Sequence, residues 1–110
     1  MKNLDDLTIV ILTFQTPDEI IFNCLRSIDK NVKIIIVENS KTFLQEKIIS
    51  LKFPNVKIVC TGKNLGYGGG NNVGLKQVKT DYALILNPDV ICEKSLFDNI
   101  PKEINRSEEH

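Results

Sequence analysis

Histidine is all but missing from this sequence: its single copy, His110, is the last residue. A Ser-His or Cys-His nucleophile pair, or a histidine-rich metal site, loses the residue it depends on. An excess of either charge is missing too, since 14 Lys+Arg face 14 Asp+Glu. That balance offers neither a basic field for nucleic acid nor a polybasic signal for an anionic membrane. No nucleic-acid partner is expected. No apolar run approaches the roughly 20 residues of a transmembrane segment. The opening "MKNLDDLTIVIL" sets two aspartates before a short apolar run, which is neither a signal nor a transit peptide. The three cysteines, Cys24, Cys60 and Cys92, are odd in number, widely spaced and set among apolar residues. They read as buried free thiols of a reducing cytosol, so a cytoplasmic chain is expected.

Glycine is scarce everywhere but in one place. All 6 glycines fall within "GKNLGYGGGNNVG", residues 62–74. The rest is ordinary: 110 residues, 42% hydrophobic and 25% charged, enough for one domain with one core. Four short apolar runs, "TIVIL" at 8–12, "KIIIVE" at 33–38, "VKIVC" at 56–60 and "YALIL" at 82–86, recur roughly every 25 residues. They are continuous and β-branched, as strands buried on both faces are.

The intervals read as helices. In "TPDEIIFNCLRSI", Thr16 is the expected N-cap, Pro17 the first helical residue and Glu19 the capping-box partner. Ile20, Cys24 and Ile28, with Ile21 and Leu25 beside them, make its apolar face. In "TFLQEKIISL", Thr42 and Gln45 repeat the box while Leu44, Ile48 and Leu51 supply the stripe. Val73, Leu75 and Val78 belong to a third helix that begins inside the glycine stretch. "SLFDNIPKEI" is a weaker helix, interrupted at Pro101, and the final "NRSEEH" is expected to fray. The alternation βαβαβαβα, with short connections and right-handed crossovers, predicts an α/β fold: a Rossmann-like parallel sheet with helices on both faces.

In such a sheet, ligands bind beyond the carboxyl ends of the strands. The runs are followed by Thr13-Phe14-Gln15, by Glu38-Asn39-Ser40, by Gly62-Lys63-Asn64 and by Asn87-Pro88-Asp89. Taken singly, "ENS" and "NPD" are good turn sequences, Phe14 is a packing residue and the glycines are a flexible loop. Together they place small, polar and acidic groups on one rim.

The glycine stretch fails both common phosphate fingerprints. G-x-G-x-x-G started from Gly66 ends on Asn71, and started from Gly68 ends on Val73. For G-x-x-x-x-G-K-[ST], Gly69 and Gly74 have the spacing but Leu75 follows. What remains is a backbone that must approach something closely before a helix starts. Asn71 and Asn72 are expected in the first helical turn, where free N–H groups favour an anion, with Lys63 adding charge. A cation between the acidic turn and a diphosphate would unite the two features, since Mg²⁺ binds through one or two carboxylates and substrate phosphates.

The segments "TIVILTFQTPDEIIFNCLRSI", "KIIIVENS", "NLGYGGGNNVGL" and "YALILNPDV", in this order, resemble the nucleotide-sugar-binding half of a family 2 glycosyltransferase. The rhamnosyltransferase-like branch is the nearest. The resemblance runs from about residue 8 to about residue 100 and implies a truncated GT-A fold, with about four strands ordered third, second, first, fourth. Residues 1–110 would be a single donor-binding unit. The resemblance places Thr13 and Phe14 beside the nucleobase and ribose, and Glu38 and Asn39 at the base. Asn64, Gly66, Tyr67 and Asn71 would wall the nucleotide and sugar. Asn87 and Asp89 stand where the family carries its DxD motif, with Asp89 holding Mg²⁺ or Mn²⁺ on the donor diphosphate.

The implied reaction moves a sugar, with inversion, from a UDP- or dTDP-linked donor to an acceptor glycan or lipid-linked saccharide. The setting would be polysaccharide synthesis in the cytoplasm or at the inner face of the membrane. Three departures stand out. Glu38 replaces the commoner Asp, Asn87 replaces the first DxD acid, and the chain stops before the half that carries the acceptor site and catalytic base. Glu93 lacks the context of a base. Without that half, Ile91, Leu96 and Phe97 would lie uncovered and "YALIL" becomes an apolar edge, so self-association is expected. Two alternatives stay open: a fragment that only binds nucleotide, and a nucleotidyltransferase. The latter's glycine-rich signature would follow the first strand, where this chain has "TFQTP".

Overall fold

The computed structural model describes residues 3–108, so His110 lies outside the described residues. Four strands, β1 (Leu7–Thr13), β2 (Lys33–Glu38), β3 (Val56–Cys60) and β4 (Tyr82–Leu86), form one sheet in the order β3-β2-β1-β4. All pairings are parallel, with Val10 opposite both Ile35 and Ile85. The four apolar runs are the strands, β1 alone being a residue longer at each end.

Four helices connect and follow the strands: α1 (Asp18–Arg26), α2 (Glu46–Lys52), α3 (Gly66–Gln77) and α4 (Lys94–Glu108). The residues on one face of the sheet, such as Ile9, Ile11, Ile34 and Ile36, bury Ile21, Cys24 and Leu25 of α1, Ile49 of α2 and Phe97 of α4. The other face presents Val10, Ile35 and Val37, against which Val73 of α3 and Val78 just beyond it pack. Helices on opposite faces follow from the strand order. The chain moves from β1 outward through α1 and α2, then must cross back over β2 and β1 to reach β4, and α3 is that crossover. The order of strands reverses at β1/β4, which opens a crevice at their carboxyl ends.

Several helix details differ from expectation. Pro17, not Thr16, is the N-cap of α1, with no side-chain cap; the Thr16 hydroxyl instead accepts from the Phe14 N–H at 3.2 Å. Ile20 is exposed, while Ile21, Cys24, Leu25 and Ile28 are buried. In α2 the error is larger. Gln45 is the N-cap and makes no capping bond; its amide reaches Asp18 and the Thr16 carbonyl. Phe43 and Ile49 enter the core, whereas Leu44, Ile48 and Leu51 are 92%, 45% and 76% exposed. Spacing identifies residues that share a face but not which way that face turns.

Helix α4 continues through Pro101 to Glu108. Packing of Leu96, Phe97 and Ile100 on the core outweighs the lost N–H, and the Asn105 amide donates to the Pro101 carbonyl at 2.8 Å. The expected fraying of residues 105–108 is therefore replaced by helix, and residues 109–110 lie outside the described ones. Phe97 is buried and Leu96 partly so; Ile91, 67% exposed, stays bare as expected. Cys24 and Cys92 are buried free thiols, but Cys60 is exposed, because it ends an edge strand.

Candidate functional site

Each strand ends on the same rim, and two adjacent residues at the end of β2 tie the rim loops together. Glu38 is 1% exposed. One carboxylate oxygen accepts from the Thr13 hydroxyl at 2.8 Å. The other accepts from the Gln15 N–H at 3.0 Å and the Ser40 hydroxyl at 2.6 Å. A carboxylate buried without donors is costly; three of them offset that cost here. The bond to Gln15 also explains an unusual backbone, since Gln15 has φ 49° in the left-handed region. Glu38 thus pins the β1–α1 loop, leaving the Phe14 ring 51% exposed above it.

Asn39 does the same for the β3–α3 loop. It is 3% exposed. Its amide donates to the Gly66 carbonyl at 2.9 Å and to Asn64 Oδ1 at 3.2 Å, while its oxygen accepts from the Leu65 N–H at 2.9 Å. Asn64 in turn accepts from the Gly66 N–H at 2.8 Å, closing an Asx turn. Gly66 has φ 77°, a conformation few side-chain-bearing residues adopt. The helix starts there, so Asn71 and Asn72 sit in the second turn rather than the first. The first-turn N–H groups are those of the glycine stretch itself, and Tyr67 projects from it, 64% exposed.

The glycines now separate by role. A Cβ on Gly70 would lie 2.5 Å from Leu12 Cδ1 and 3.0 Å from the Asn39 amide. On Gly74 it would lie 2.6 Å from Val10 and 2.8 Å from Val37. These two let α3 settle directly onto the sheet. Gly68 is different: a Cβ there meets nothing within 4 Å, and its φ is not positive. Nothing among the described residues requires glycine at that position.

Asn71, beside Gly70, is 4% exposed, and its Oδ1 has no hydrogen-bond partner among the described residues. An orphaned buried acceptor is uncommon, and it calls for a hydroxyl or N–H donor rather than an anion. Across the β1/β4 crevice, the Val90 N–H donates to the Asn87 carbonyl at 3.1 Å, so Asn87 to Val90 form a turn with Asn87 and Asp89 exposed. The negative charge of Asp89 is felt below the rim: the Cys24 thiol is pushed up to about 11, first by burial, then by Cys92 and Asp89. No cluster of three or more His, Cys, Asp or Glu side chains able to hold a metal occurs among the described residues.

The sequence-predicted residues thus form two tied groups at the β2 end, Thr13–Glu38 and Asn39–Asn64–Gly66, with Phe14, Tyr67, Asn87 and Asp89 left exposed around the rim. Sequence reasoning missed the parts played by Gln15 and Ser40. The "ENS" turn was the available signal for Ser40; nothing local marks Gln15.

The family model described as glycosyl transferase family 2 matches residues 8–109. The chain belongs to this family. It is 30% identical, over 95 residues, to the low-salt glycan biosynthesis hexosyltransferase Agl10 of Haloferax volcanii, covering 83% of this chain and 30% of that protein. In fold it is similar to the crystal structure of residues 1–349 of S. aureus TarS, with TM-score 0.78 and 20% identity over 93% of this chain and 33% of the other. A second S. aureus TarS structure gives TM-score 0.77 and 19% identity, covering 93% of this chain and 20% of that one. The sheet and its helices therefore have the α/β architecture of GT-A glycosyltransferase domains, and the chain spans about a third or less of the relatives it matches.

Proposed function

We propose that the chain is the donor-binding part of a metal-dependent, inverting glycosyltransferase of the rhamnosyltransferase-like branch. It would take a UDP- or dTDP-linked sugar, with an acceptor glycan or lipid-linked saccharide as the second substrate. The observation that carries this reading is Gly68: in a family 2 chain, it is a first-turn residue of α3 whose missing side chain no protein atom requires. A ligand that lies against that backbone accounts for it, and free N–H groups at a helix N-terminus suit a diphosphate.

The remaining roles follow from what each side chain has free. The exposed Phe14 ring gives the base an apolar surface. Glu38 has three of about four acceptor positions filled, so its main part is to hold the loop that carries Phe14. The orphaned Asn71 oxygen suits a sugar hydroxyl. Asp89 offers one hard oxygen ligand, which fits Mg²⁺ or Mn²⁺ held mainly by substrate phosphates. Bound there, the ion would stabilise negative charge on the leaving nucleoside diphosphate. No residue of the chain is assigned as the base; Glu93 is exposed and lies beyond the rim turn. The base belongs, in this reading, to the part of the fold that the longer relatives add.

A second reading is a unit that binds nucleotide without turnover. A nucleotidyltransferase is disfavoured because the glycine stretch follows β3 rather than β1. Amide NMR of the chain titrated with UDP and Mn²⁺ tests the binding site common to the first two readings. Shifts are expected at Phe14, Gln15, Tyr67, Gly68 and Asp89. Shifts confined to the opposite end of the sheet, around Arg26 to Asn31, would refute it.

A further inference from the structure

The face of α2 expected to enter the core points to solvent instead. Leu44, in the turn that leads into the helix, and Leu51 are 92% and 76% exposed, and Ile48 between them is 45% exposed. Such an apolar ridge is unusual on a soluble surface. Lysines border it. Lys47 lies one turn before Leu51 and Lys52 one turn after Ile48, so their Cα positions are each about 40° from the ridge, on opposite sides, with the Lys52 ammonium 5.6 Å from the Phe22 ring centroid. The acid of this helix, Glu46, is turned about 160° from Ile48. The basic character continues past the helix end, where Arg26, Lys30 and Lys52 line one cavity with Phe53 and Pro54. The overall charge balance conceals this local arrangement.

We propose that this face of α2 seats the chain on an anionic lipid surface, with Leu44, Ile48 and Leu51 entering the acyl boundary and Lys47 and Lys52 meeting headgroups. An apolar ridge with lysines along its flanks is the pattern of an interfacial helix, and long lysine stems let the charge stay at headgroup level. A second copy fits less well, since a two-fold contact through the ridge would bring like-charged Lys47 and Lys52 rows together. A protruding ridge also suits a bilayer better than a groove-seeking peptide. The inference uses none of the residues proposed for nucleotide binding.

Co-sedimentation of the chain with lipid vesicles, without nucleotide, tests it. Neutral phosphatidylcholine vesicles are compared with vesicles in which phosphatidylglycerol replaces about a third of the lipid. Binding to the anionic vesicles alone, weakened by salt, is expected. Leu44→Ser with Leu51→Ser should lower partitioning at least tenfold, and Lys47→Gln about fivefold. Because these side chains are exposed, thermal melts should confirm that both variants fold. Ile85→Ser, on a different exposed apolar site, should bind as the parent does. The proposal is overturned by no binding to anionic vesicles, by equal binding to neutral ones, or by a double-serine variant that binds normally. A dimer that the double-serine change converts to monomer, with no vesicle binding, would assign the ridge to a second copy and equally overturn it.

Discussion

Alanine at Gly74 and alanine at Gly68 should shift stability in opposite directions. Both positions lie in α3, where alanine is intrinsically better than glycine by about 1 kcal/mol. At Gly74 the new Cβ would stand 2.6 Å from Val10 and 2.8 Å from Val37, both 0% exposed. Valine side chains are stiff, and here they are locked between sheet and helix, so the helix must lift or the strands shift. Two contacts under 3.0 Å put the cost in the upper part of the usual range for overpacking, about 2–3 kcal/mol, leaving a net loss of about 1–2 kcal/mol after the helix gain. For a chain of this size about 1 kcal/mol corresponds to roughly 4 °C in Tm. Gly74→Ala should therefore melt about 4–8 °C lower. At Gly68 the Cβ meets nothing, so only the helix gain remains and the melt should rise by about 2–4 °C. That same variant should bind UDP more weakly, because the methyl group would occupy the space proposed for the ligand. Differential scanning calorimetry reads both shifts. A Gly74→Ala chain as stable as the parent, or a Gly68→Ala chain that loses as much as Gly74→Ala, would refute the division of roles among the glycines.

Other outcomes follow from the same structure. Glu38→Gln turns one acceptor towards donors at Thr13, Gln15 or Ser40 into a donor; a loss of about 1–3 kcal/mol is expected in urea titration, and an unchanged midpoint would contradict the clamp. The raised Cys24 thiol favours the folded state fully below its ordinary value of 9.0, and this contribution is lost as pH rises through about 11. A Cys24→Ala chain should therefore lose less stability than the parent between those pH values. Cys60, the exposed thiol, should react with a thiol reagent well before Cys24 and Cys92 do, and simultaneous reaction of all three in the native state would be inconsistent with their burial. Because α3 covers β1 and β2 but leaves Ile85 of edge strand β4 41% exposed, the chain should self-associate at high concentration. Light scattering should show Ile85→Lys reducing that tendency, and a monomeric parent would remove the premise.

The strands were legible because continuous β-branched runs admit few other readings, and the fold class followed from their alternation with helices. The rotation of α2 was not legible. Phe43 and Ile49 offer as plausible a buried face as Leu44, Ile48 and Leu51, and only the connection from β2 decides between them. The capping boxes misled for a related reason: Thr16 and Gln45 have the right chemistry, but the Phe14 N–H two residues back and Asp18 in another helix compete for their side chains. At the rim, residue types and their meeting place were readable from the ends of the strands. Their division into buried ties, Glu38 and Asn39, and exposed groups, Phe14 and Asp89, was not, because it depends on hydrogen bonds between loops distant in sequence.

Calorimetric titration with UDP and with dTDP, each with and without Mn²⁺, on the parent chain and on Asp89→Ala, tests the donor-site reading most directly. The account predicts binding that strengthens with the metal and loses that metal dependence in the variant. A folded chain that binds neither nucleotide, or binds one equally well without metal and without Asp89, would contradict it.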